Sequence, residues 1–439
     1  MDIKSFIKRR SLFHIALLVL FTVIIRVGFI FLFIENPNHI PQSGAENDAV
    51  EYDALAVSLL NGDGYKYYSD GPPTAQICPV YPLFLASIYY LFGHDYQIVR
   101  IIHALIDGVT SLFIYLIALI IFKNHYVGLL SMMMFALHPT KLLYTGYILT
   151  ETLFTFLLIC FAFSLLCAFD APSKKRFLLA GLLLGLATLC RPTTILFPFF
   201  ILLTLCVIFW GNKIKIIIYF VTLLIGFWLI LSPWIIRNYM VFHTFVPTST
   251  LGGYTLYIGH YLNGVDTIPL SKMPPHIKEK IKNSLKIYND KASIIIYRRF
   301  HIIPAVSEPY IDKIFYKEAV RNICSNPRKF SVLMWKKFLR FWFHLAYPSP
   351  SLPRQVMIAI IHGILISFAI VGCIFGFSSW IKRSLPIIIL VGYFTLVHMI
   401  VLAFGRFNIP VIPYVMIFAS WGMLISYNLL RGKRFFPIR

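Results

Sequence analysis

Charged residues are scarce in this sequence: Asp, Glu, Lys and Arg together make up 13% of its 439 residues. Soluble domains carry roughly 25% charged residues, so this shortage argues against an ordinary water-soluble protein. Hydrophobic residues make up 58% of the chain instead. That balance indicates a protein whose main solvent is lipid.

The cysteines and histidines also lack the spacing that is typical of metal ligands. The seven cysteines lie mostly in apolar stretches, where a cysteine usually serves as a small packing residue. A Cys78–Cys324 disulfide is an open alternative that nothing else in the sequence supports. Four histidines predict no metal site either: His138, His260, His344 and His398.

About ten apolar stretches are long enough to cross a bilayer, which takes roughly 20 residues for a helix. We therefore predict an all-α polytopic membrane protein with about ten transmembrane helices and extracytoplasmic interfacial helices. The first stretch is too long for a cleaved signal peptide, and no small-residue cleavage site follows it. The stretches lie at about 11–34, 97–122, 126–140, 143–169, 177–190, 193–210, 214–236, 357–380, 385–404 and 408–430.

The net charge of +22 fits a membrane topology better than nucleic-acid binding. With ten spans, every basic cluster falls on one side, and positive charge marks the cytoplasmic side. Both termini are then inside. The apolar run Val80–Phe92 is short for a span, so we interpret it as an interfacial or re-entrant helix. The basic clusters are Lys4, Lys8, Arg9 and Arg10; Lys123; Lys174, Lys175 and Arg176; Lys213 and Lys215; Lys382 and Arg383; and Arg431, Lys433 and Arg434.

The chain divides into three regions. Residues 1–236 form a transmembrane core that includes the first outer loop at 35–96, residues 237–355 form a second outer loop, and residues 356–439 form C-terminal transmembrane helices. The first loop is acidic and the second is strongly basic, so we expect the two loops to meet over one site. Seven of the eighteen acidic residues lie between positions 35 and 70 of the first loop: Glu35, Glu46, Asp48, Glu51, Asp53, Asp63 and Asp70.

Two short helices are predicted in these loops. Asp48–Leu60 has the pattern of a short amphipathic helix, which the turn residues 61–64 stop. Lys329–Leu345 combines aromatic and basic side chains, as expected of a helix in the head-group layer close to anionic phosphates.

Asp48 and Glu151 are the candidate catalytic residues. Asp48 followed by Glu51 is a capping-box pattern, and the same carboxylate could take a proton from an acceptor hydroxyl as a general base. Glu151 lies near the outer end of an apolar span, where a carboxylate is a functional-site candidate. A salt bridge to Lys141 or a hydrogen bond to a neighbouring helix is its alternative role. The two carboxylates could also hold a divalent metal ion, which the sequence leaves open.

Arg191, Arg237 and Arg406 each lie at the outer mouth of a predicted span. Guanidinium groups suit bidentate phosphate binding. A sugar that leaves a lipid phosphate needs fixed cations for the developing negative charge. Ordinary anchoring at the membrane surface is the alternative for any one of the three arginines.

Four polar residues lie inside or beside the first two long spans: Arg26, Arg100, His103 and Asp107. We expect cross-helix pairing among them, such as Arg26 with Asp107. A proton relay is the alternative.

A series of short motifs runs through residues 15–430 in order: Asp48-x-x-Glu51-Tyr52-x-x-Leu55-Ala56, Gly62-x-Gly64-Tyr65, Pro79-x-Tyr81-Pro82, Phe92-Gly93, Thr150-Glu151, Arg191-Pro192, Pro233-Trp234-x-x-Arg237-Asn238, Gly252-Gly253-x-x-Leu256-Tyr257-Ile258-Gly259 and Arg406-Phe407-x-x-Pro410. Together they resemble the GT-C membrane glycosyltransferases. The likeness is strongest to the branch of bacterial lipid A aminoarabinose transferases and protein O-mannosyltransferases, which use polyprenyl-phosphate sugars.

The resemblance implies an inverting transfer of a sugar from a polyprenyl-phosphate donor to a lipid, glycan or protein acceptor. Asp48 matches the family's first-loop aspartate, and the site would lie outside a bacterial inner membrane, in cell-envelope or lipopolysaccharide biosynthesis. Unlike larger members, the sequence has no sizeable soluble domain after the last span. A glutamate that the aminoarabinose enzymes use for metal binding has no match near Ile77–Pro79. The expected substrate-binding residues are Glu51, Tyr52, Lys141, Arg191, Arg237, Asn238 and Arg406.

Two other classes of protein remain as alternatives. A transporter or flippase of lipid-linked sugars would also need basic phosphate sites, but it should carry polar groups at mid-membrane, often in repeated halves. No internal repeat is visible here. A structural membrane subunit would leave the outer acidic cluster unexplained. We expect a sugar donor, an acceptor and membrane lipids as partners, and no nucleic acid.

Overall fold

The computed structural model describes residues 9–34, 47–261, 308–343 and 352–432. Within these ranges the chain is helical, as predicted, and its one β-type pairing is an isolated bridge between Lys66 and Pro73. The first eleven helices are α1 (Arg9–Phe33), α2 (Asn47–Leu60), α3 (Val80–Phe92), α4 (Tyr96–Phe122), α5 (His125–Leu137), α6 (Pro139–Thr145), α7 (Glu151–Asp170), α8 (Lys174–Cys190), α9 (Phe197–Ile208), α10 (Lys213–Phe242) and α11 (Gly252–Tyr261). The others are α12 (Glu308–Ser325), α13 (Pro327–Phe343), α14 (Leu352–Ile400) and α15 (Ile412–Leu430), with 3-10 turns at Pro192–Thr194 and Gly405–Asn408.

Seven helices in the described part of the chain are long and apolar enough to cross a membrane, or eight if the bent pair α5–α6 is one broken span. The predicted multi-pass membrane architecture is confirmed, but the predicted number of ten spans is not. The stretch expected at 177–190 lies in α8 (17 residues), and the stretch expected at 193–210 contains the shorter α9 (12 residues). Both helices are too short to count as spans because the chain turns at Pro192–Thr194 between them. Helix α14 instead continues for 49 residues and contains two of the seven spans.

The first outer loop folds as the sequence predicts. Helix α2 ends at Leu60, and Gly62 and Gly64 follow with φ of 78° and 89°, a conformation that glycine adopts without strain. Asp48 lies in the first turn of α2. The apolar run Val80–Phe92 forms the separate 13-residue helix α3.

Helices α8 and α10 pack with their backbones in close approach. A side chain at Gly181 would collide with the carbonyl oxygen of Leu223, and one at Gly226 would collide with that of Leu178. This packing fixes the outer end of α8, where Arg191 follows, relative to α10.

The buried side chain of Arg26 ties α1 to α4 through an ion pair, and to the break between α5 and α6 through hydrogen bonds; α5 and α6 are bent by 59°. Arg26 Nε donates to Asp107 Oδ2 at 2.6 Å, and both side chains are fully buried, so the predicted pairing is confirmed. The other nitrogens of Arg26 donate to the carbonyl oxygens of Phe135 (3.1 Å) and Ala136 (3.3 Å). Carbonyl groups at the end of a helix have no partner within it, so Arg26 satisfies those that the break exposes.

The two outer loops meet, as predicted. Ala75 of the first loop donates its backbone N–H to Glu308 Oε2 (2.9 Å) and accepts from the backbone N–H of Thr250 (3.0 Å), both in the second loop. Asp312 Oδ1 accepts from the backbone N–H of Gly253 (2.7 Å), which caps the start of α11. The start of α11 therefore packs on α12, and both helices lie against the first loop.

Helix α13 (Pro327–Phe343) covers the described part of the helix predicted at Lys329–Leu345, and its interfacial position stays a prediction. Its exposed residues include Val332, Trp335 and Lys336. Cys78 is buried, Cys324 is exposed, and both are free thiols, so the alternative disulfide is not formed. Several residues named in the sequence analysis lie outside the described ranges: Lys4, Lys8, Glu35, Glu46, His344, Leu345, Lys433 and Arg434.

Candidate active site

Asp48 and Arg406 form the exposed side of a charged cluster. Arg406 Nη2 donates to Asp48 Oδ2 at 2.7 Å, although the two residues are 358 positions apart in sequence. The Asp48 side chain is 43% exposed and that of Arg406 is 15% exposed. Asp48 is therefore accessible from outside the protein, while its Oδ2 is held by Arg406.

Glu151, the first residue of α7, forms the buried side of the cluster. Its side chain is 1% exposed, and its Oε1 lies 3.3 Å from Arg191 Nη1 and 4.0 Å from Arg406 Nε. Its Oε2 is buried without a hydrogen-bond partner among the residues described. Arg406 thus lies between the two candidate catalytic carboxylates.

Aromatic rings hold the two arginines in place. The Arg191 guanidinium carbon lies over the Phe154 ring (5.8 Å to the centroid) and the Phe407 ring (5.1 Å), and that of Arg406 lies over Phe407 (5.5 Å). Burial alone would lower the pKa of Arg406, but Asp48 and then Glu151 raise it above its ordinary value. Arg406 therefore remains charged at any physiological pH.

Tyr52 lies among the same four charged groups. Burial and then Asp48 raise the pKa of its phenol, Arg191 opposes them, and Glu151 and Arg406 act with opposite signs. Its ring packs edge-on against Tyr81, with centroids 5.0 Å apart. The expectation that Tyr52 belongs to the site agrees with this position.

Glu51 lies three residues after Asp48 on α2 and is partly buried. Burial first and Asp48 second raise the pKa of its carboxyl group to about 8. Near neutral pH, Glu51 is therefore largely protonated and can donate a hydrogen bond. Asp48 and Glu51 therefore differ in their surroundings. Asp48 is paired with Arg406, whereas Glu51 has no ion-pair partner within the described ranges.

Lys141 requires a correction. It was a candidate partner of Glu151 and a candidate substrate-binding residue, but its Nζ lies 3.3 Å from Asp107 Oδ1 and both side chains are fully buried. Because Arg26 pairs with the other oxygen of Asp107, the three residues form one buried charged group. In the structure the cation that pairs with Glu151 is Arg191 instead.

Arg237 and Asn238 hold the first loop rather than lining the charged cluster. Arg237 Nη1 donates to the carbonyl oxygen of Thr74 (2.7 Å), and Nη2 donates to that of Tyr65 (3.3 Å). Asn238 is fully buried and donates to the carbonyl oxygen of Val246 (3.0 Å). These contacts account for both side chains through loop structure, and a direct role in binding substrate has no support in the geometry.

Helix α13 positions the segment that carries Arg406. Lys337 Nζ donates to the carbonyl oxygens of Ile400 (3.1 Å) and Val401 (2.8 Å), and Arg340 Nη1 donates to that of Ala403 (3.3 Å). From the sequence, the basic residues of this helix are expected only to contact lipid head groups. Lys337 is instead buried (5% exposed), and it holds the end of α14 through these hydrogen bonds.

A divalent metal has little support at this site. Within the described ranges, no three His, Cys, Asp or Glu side chains converge in a way that could hold a metal ion. Asp48 and Glu151 each face a guanidinium group, which competes with any cation between them.

Comparison with known proteins agrees with the predicted superfamily. Residues 72–236 match a family model described as dolichyl-phosphate-mannose-protein mannosyltransferase. The oligosaccharyltransferase of Archaeoglobus fulgidus, solved with a tethered acceptor peptide, has a similar fold, with a TM-score of 0.57 at 13% identity. The match covers 98% of this chain and 51% of that one, so this chain spans about half the length of the archaeal protein. Together these findings confirm the GT-C type of fold.

Two structures of ArnT from Cupriavidus metallidurans also match. The apo structure gives a TM-score of 0.38 at 13% identity, covering 94% of this chain and 79% of that one. The structure with undecaprenyl phosphate gives 0.37 at 12% identity, covering 95% and 79%. Comparison with curated protein sequences gives no match.

Proposed function

We propose that this chain, which has a GT-C type of fold, is an inverting glycosyltransferase. It would move a sugar from a polyprenyl-phosphate donor to a hydroxyl group of a lipid, glycan or protein acceptor, on the outer face of the membrane. The observation that carries the proposal is the exposed Asp48 carboxylate, held 2.7 Å from an arginine that also faces a buried glutamate.

In the proposed reaction Asp48 acts as the general base. The acceptor oxygen attacks the anomeric carbon while its proton passes to Asp48. The bond between that carbon and the phosphate oxygen breaks, and polyprenyl phosphate leaves with the electron pair. A single displacement of this kind inverts the anomeric configuration. The 43% exposure of Asp48 gives an acceptor direct access to the carboxylate.

The arginines would stabilise the phosphate as negative charge develops on it. A guanidinium group has five N–H donors. Among the described residues, the side chain of Arg191 makes one hydrogen bond, through Nη1 to Glu151. Its remaining donors suit phosphate oxygens, and Glu151 together with the flanking aromatic rings holds it in position.

An apolar groove suits the isoprenoid chain of the donor. It has a volume of about 300 Å³ and lies between α13, α14 and α15, lined by residues that include Phe338, Trp342, Ile370 and Val415. Because α13 also holds the segment before Arg406, a lipid in this groove would lie close to the elements that carry the charged cluster.

The test uses purified protein in lipid nanodiscs, with a panel of polyprenyl-phosphate hexoses and pentoses and a membrane extract as the source of acceptor. We expect the wild type to release polyprenyl phosphate from one of these donors. Asp48→Asn should lower the rate by about 100- to 10,000-fold, the usual contribution of a general base. Asp70→Asn, which changes an exposed acid of the same loop, is the matched control and should keep the wild-type rate.

Near-normal turnover by Asp48→Asn would exclude the mechanism. Movement of the intact donor across a membrane without release of polyprenyl phosphate would instead identify a flippase. The Asp48 side chain is 43% exposed, so loss of its charge should cost only about 1 kcal/mol of stability, and the variant is expected to fold.

A further inference from the structure

Tyr67 carries a buried hydroxyl group that has no partner. It lies in the first outer loop, next to the bridge between Lys66 and Pro73, and its side chain is 6% exposed. Within the described ranges its hydroxyl makes no hydrogen bond. Burying a hydroxyl without a partner is costly, so such a group commonly indicates a ligand that is absent.

Glu308 contributes a second such group from the other outer loop. Its side chain is 1% exposed, and its Oε2 accepts from the backbone N–H of Ala75 (2.9 Å) and from Thr250 Oγ1 (3.0 Å). These contacts fix the orientation of the carboxyl group. Its Oε1 is buried without a partner in the part of the chain that the structure describes.

The backbone of the first loop brings Tyr67 and Glu308 into the same region. The Lys66–Pro73 bridge and the hydrogen bond from the backbone N–H of Thr74 to the carbonyl oxygen of Tyr65 (3.1 Å) pair the segment around Tyr67 with the segment that ends at Ala75, and Ala75 is bonded to Glu308. Burial raises the pKa of the Tyr67 phenol, and Glu51, Tyr65, Glu308 and Tyr52 raise it further, which requires those groups to lie near it. Tyr52 is also surrounded by the charged residues of the candidate active site. The polar cluster of Glu51, Tyr67 and Glu308 is therefore adjacent to that site.

The polar groups of Glu51, Tyr67 and Glu308 determine which kind of ligand fits between them. A phosphate would meet the carboxyl groups of Glu51 and Glu308, and the cation near Glu308, Arg237, already donates to two loop carbonyl oxygens. An apolar group would leave the Tyr67 hydroxyl and Glu308 Oε1 unpartnered. A metal ion would need more ligands than the described side chains bring together. Hydroxyl groups can donate to the Glu308 oxygen and accept from the Tyr67 hydroxyl, and a sugar ring carries several hydroxyls on neighbouring carbons.

We propose that Glu51, Tyr67 and Glu308 form the subsite for the hydroxyl groups of the transferred sugar. This assignment rests on the proposed transferase function and extends it to Tyr67 and Glu308, which no other argument places in the site. The subsite binds the sugar while the arginines bind the phosphate, so the two halves of one donor molecule are recognised by different residues.

The test separates binding of the sugar from binding of the lipid phosphate. Dissociation constants are measured in nanodiscs for polyprenyl-phosphate mannose and for bare polyprenyl phosphate. Tyr67→Phe should weaken binding of the sugar-bearing lipid about threefold to tenfold and leave binding of the bare lipid unchanged. Glu308→Gln should shift the same ratio in the same direction. Tyr90→Phe, which changes an 80% exposed tyrosine of the first loop, is the matched control.

Stability provides a second readout. The Tyr67 hydroxyl has no partner to lose, so Tyr67→Phe should melt at the wild-type temperature or above it, whereas loss of a structural hydroxyl would lower it. The inference is overturned if Tyr67→Phe binds both lipids like the wild type, or weakens both equally. Either result leaves the transferase proposal intact as long as Asp48 is required for turnover, so the two failures are distinguishable.

Discussion

Replacing Glu151 with Gln tests whether the buried carboxylate holds the charged cluster together. Its Oε1 lies 3.3 Å from Arg191 Nη1 and 4.0 Å from Arg406 Nε, and the side chain is 1% exposed. With an effective dielectric constant near 20, these separations correspond to attractions of about 5 and about 4 kcal/mol. The cost of burying the carboxylate offsets part of this total. Removing one partner of a buried ion pair costs about 3–5 kcal/mol, and we expect Glu151→Gln to destabilise the protein by that amount.

Replacing Arg191, alone and together with Glu151, provides a second and independent test. Arg191→Gln should destabilise less than Glu151→Gln, since Arg406 still faces the carboxylate. The double variant should be more stable than the sum of the two single changes predicts, because it removes a carboxylate and one of its cations together. Inorganic phosphate should also raise the melting temperature of Glu151→Gln more than that of the wild type, because two guanidinium groups are left without the glutamate.

The assay is equilibrium unfolding in detergent micelles of the wild type, both single variants and the double variant. Asp70→Asn, an exposed acid outside the cluster, controls for the loss of a negative charge and should change stability by less than about 0.5 kcal/mol. Additive single changes, or a Glu151→Gln variant as stable as the wild type, would refute the reasoning. Either result would mean that Glu151 is not stabilised by the arginines.

Two further predictions concern the elements around the cluster. Burial first and Arg340 second lower the pKa of Lys337 to about 7, so between about pH 7 and 10.5 the folded protein binds fewer protons than the unfolded chain and its stability rises with pH. Lys337→Met should flatten this rise in thermal melts recorded across pH, and parallel curves for variant and wild type would contradict the assignment. Arg237→Gln should cost about 2–3 kcal/mol of stability and expose the first loop to protease, because the guanidinium is bonded to two loop carbonyls. A folded Arg237→Gln variant should still bind bare polyprenyl phosphate normally, and a selective loss of that binding would instead restore Arg237 as a phosphate ligand.

Much of the fold follows from local patterns in the sequence. The apolar run Val80–Phe92 predicted a short helix with the bounds observed, and glycine-containing turns ended both short helices of the first loop where expected. The number of spans did not follow, because mean hydropathy does not register where a helix breaks. The turn at Pro192–Thr194 leaves two short helices in place of two predicted spans. Helix α14 continues through the basic pair at 382–383 but still contains the two spans predicted there.

The candidate site could likewise be predicted from the sequence only in part. Single charged residues at the ends of apolar helices are conspicuous in a sequence, so Asp48, Glu151, Arg191 and Arg406 could each be named in advance. Their pairing could not be named, since it depends on how distant helices pack. Lys141 is ten residues from Glu151 in sequence, yet it pairs with Asp107.

Tyr67 and Glu308 were missed for a related reason. Neither belongs to a motif, and a tyrosine in a loop or a glutamate in a basic segment is unremarkable in a sequence. Their distinguishing property is burial without a partner, which arises only when the two outer loops meet at Ala75. An acid in the strongly basic second loop was the one feature that could have drawn attention to Glu308.

The charge balance of the cluster constrains how the proposed reaction can proceed. Asp48 and Glu151 carry two negative charges and Arg191 and Arg406 carry two positive charges, so the four side chains are neutral together before a donor binds. When Asp48 accepts the proton of the acceptor, its attraction for Arg406 is lost and the cluster gains a net positive charge. The departing phosphate gains negative charge in the same step, and Arg406 is then available to stabilise it. Proton transfer to Asp48 and departure of the lipid phosphate would therefore assist each other through one shared arginine.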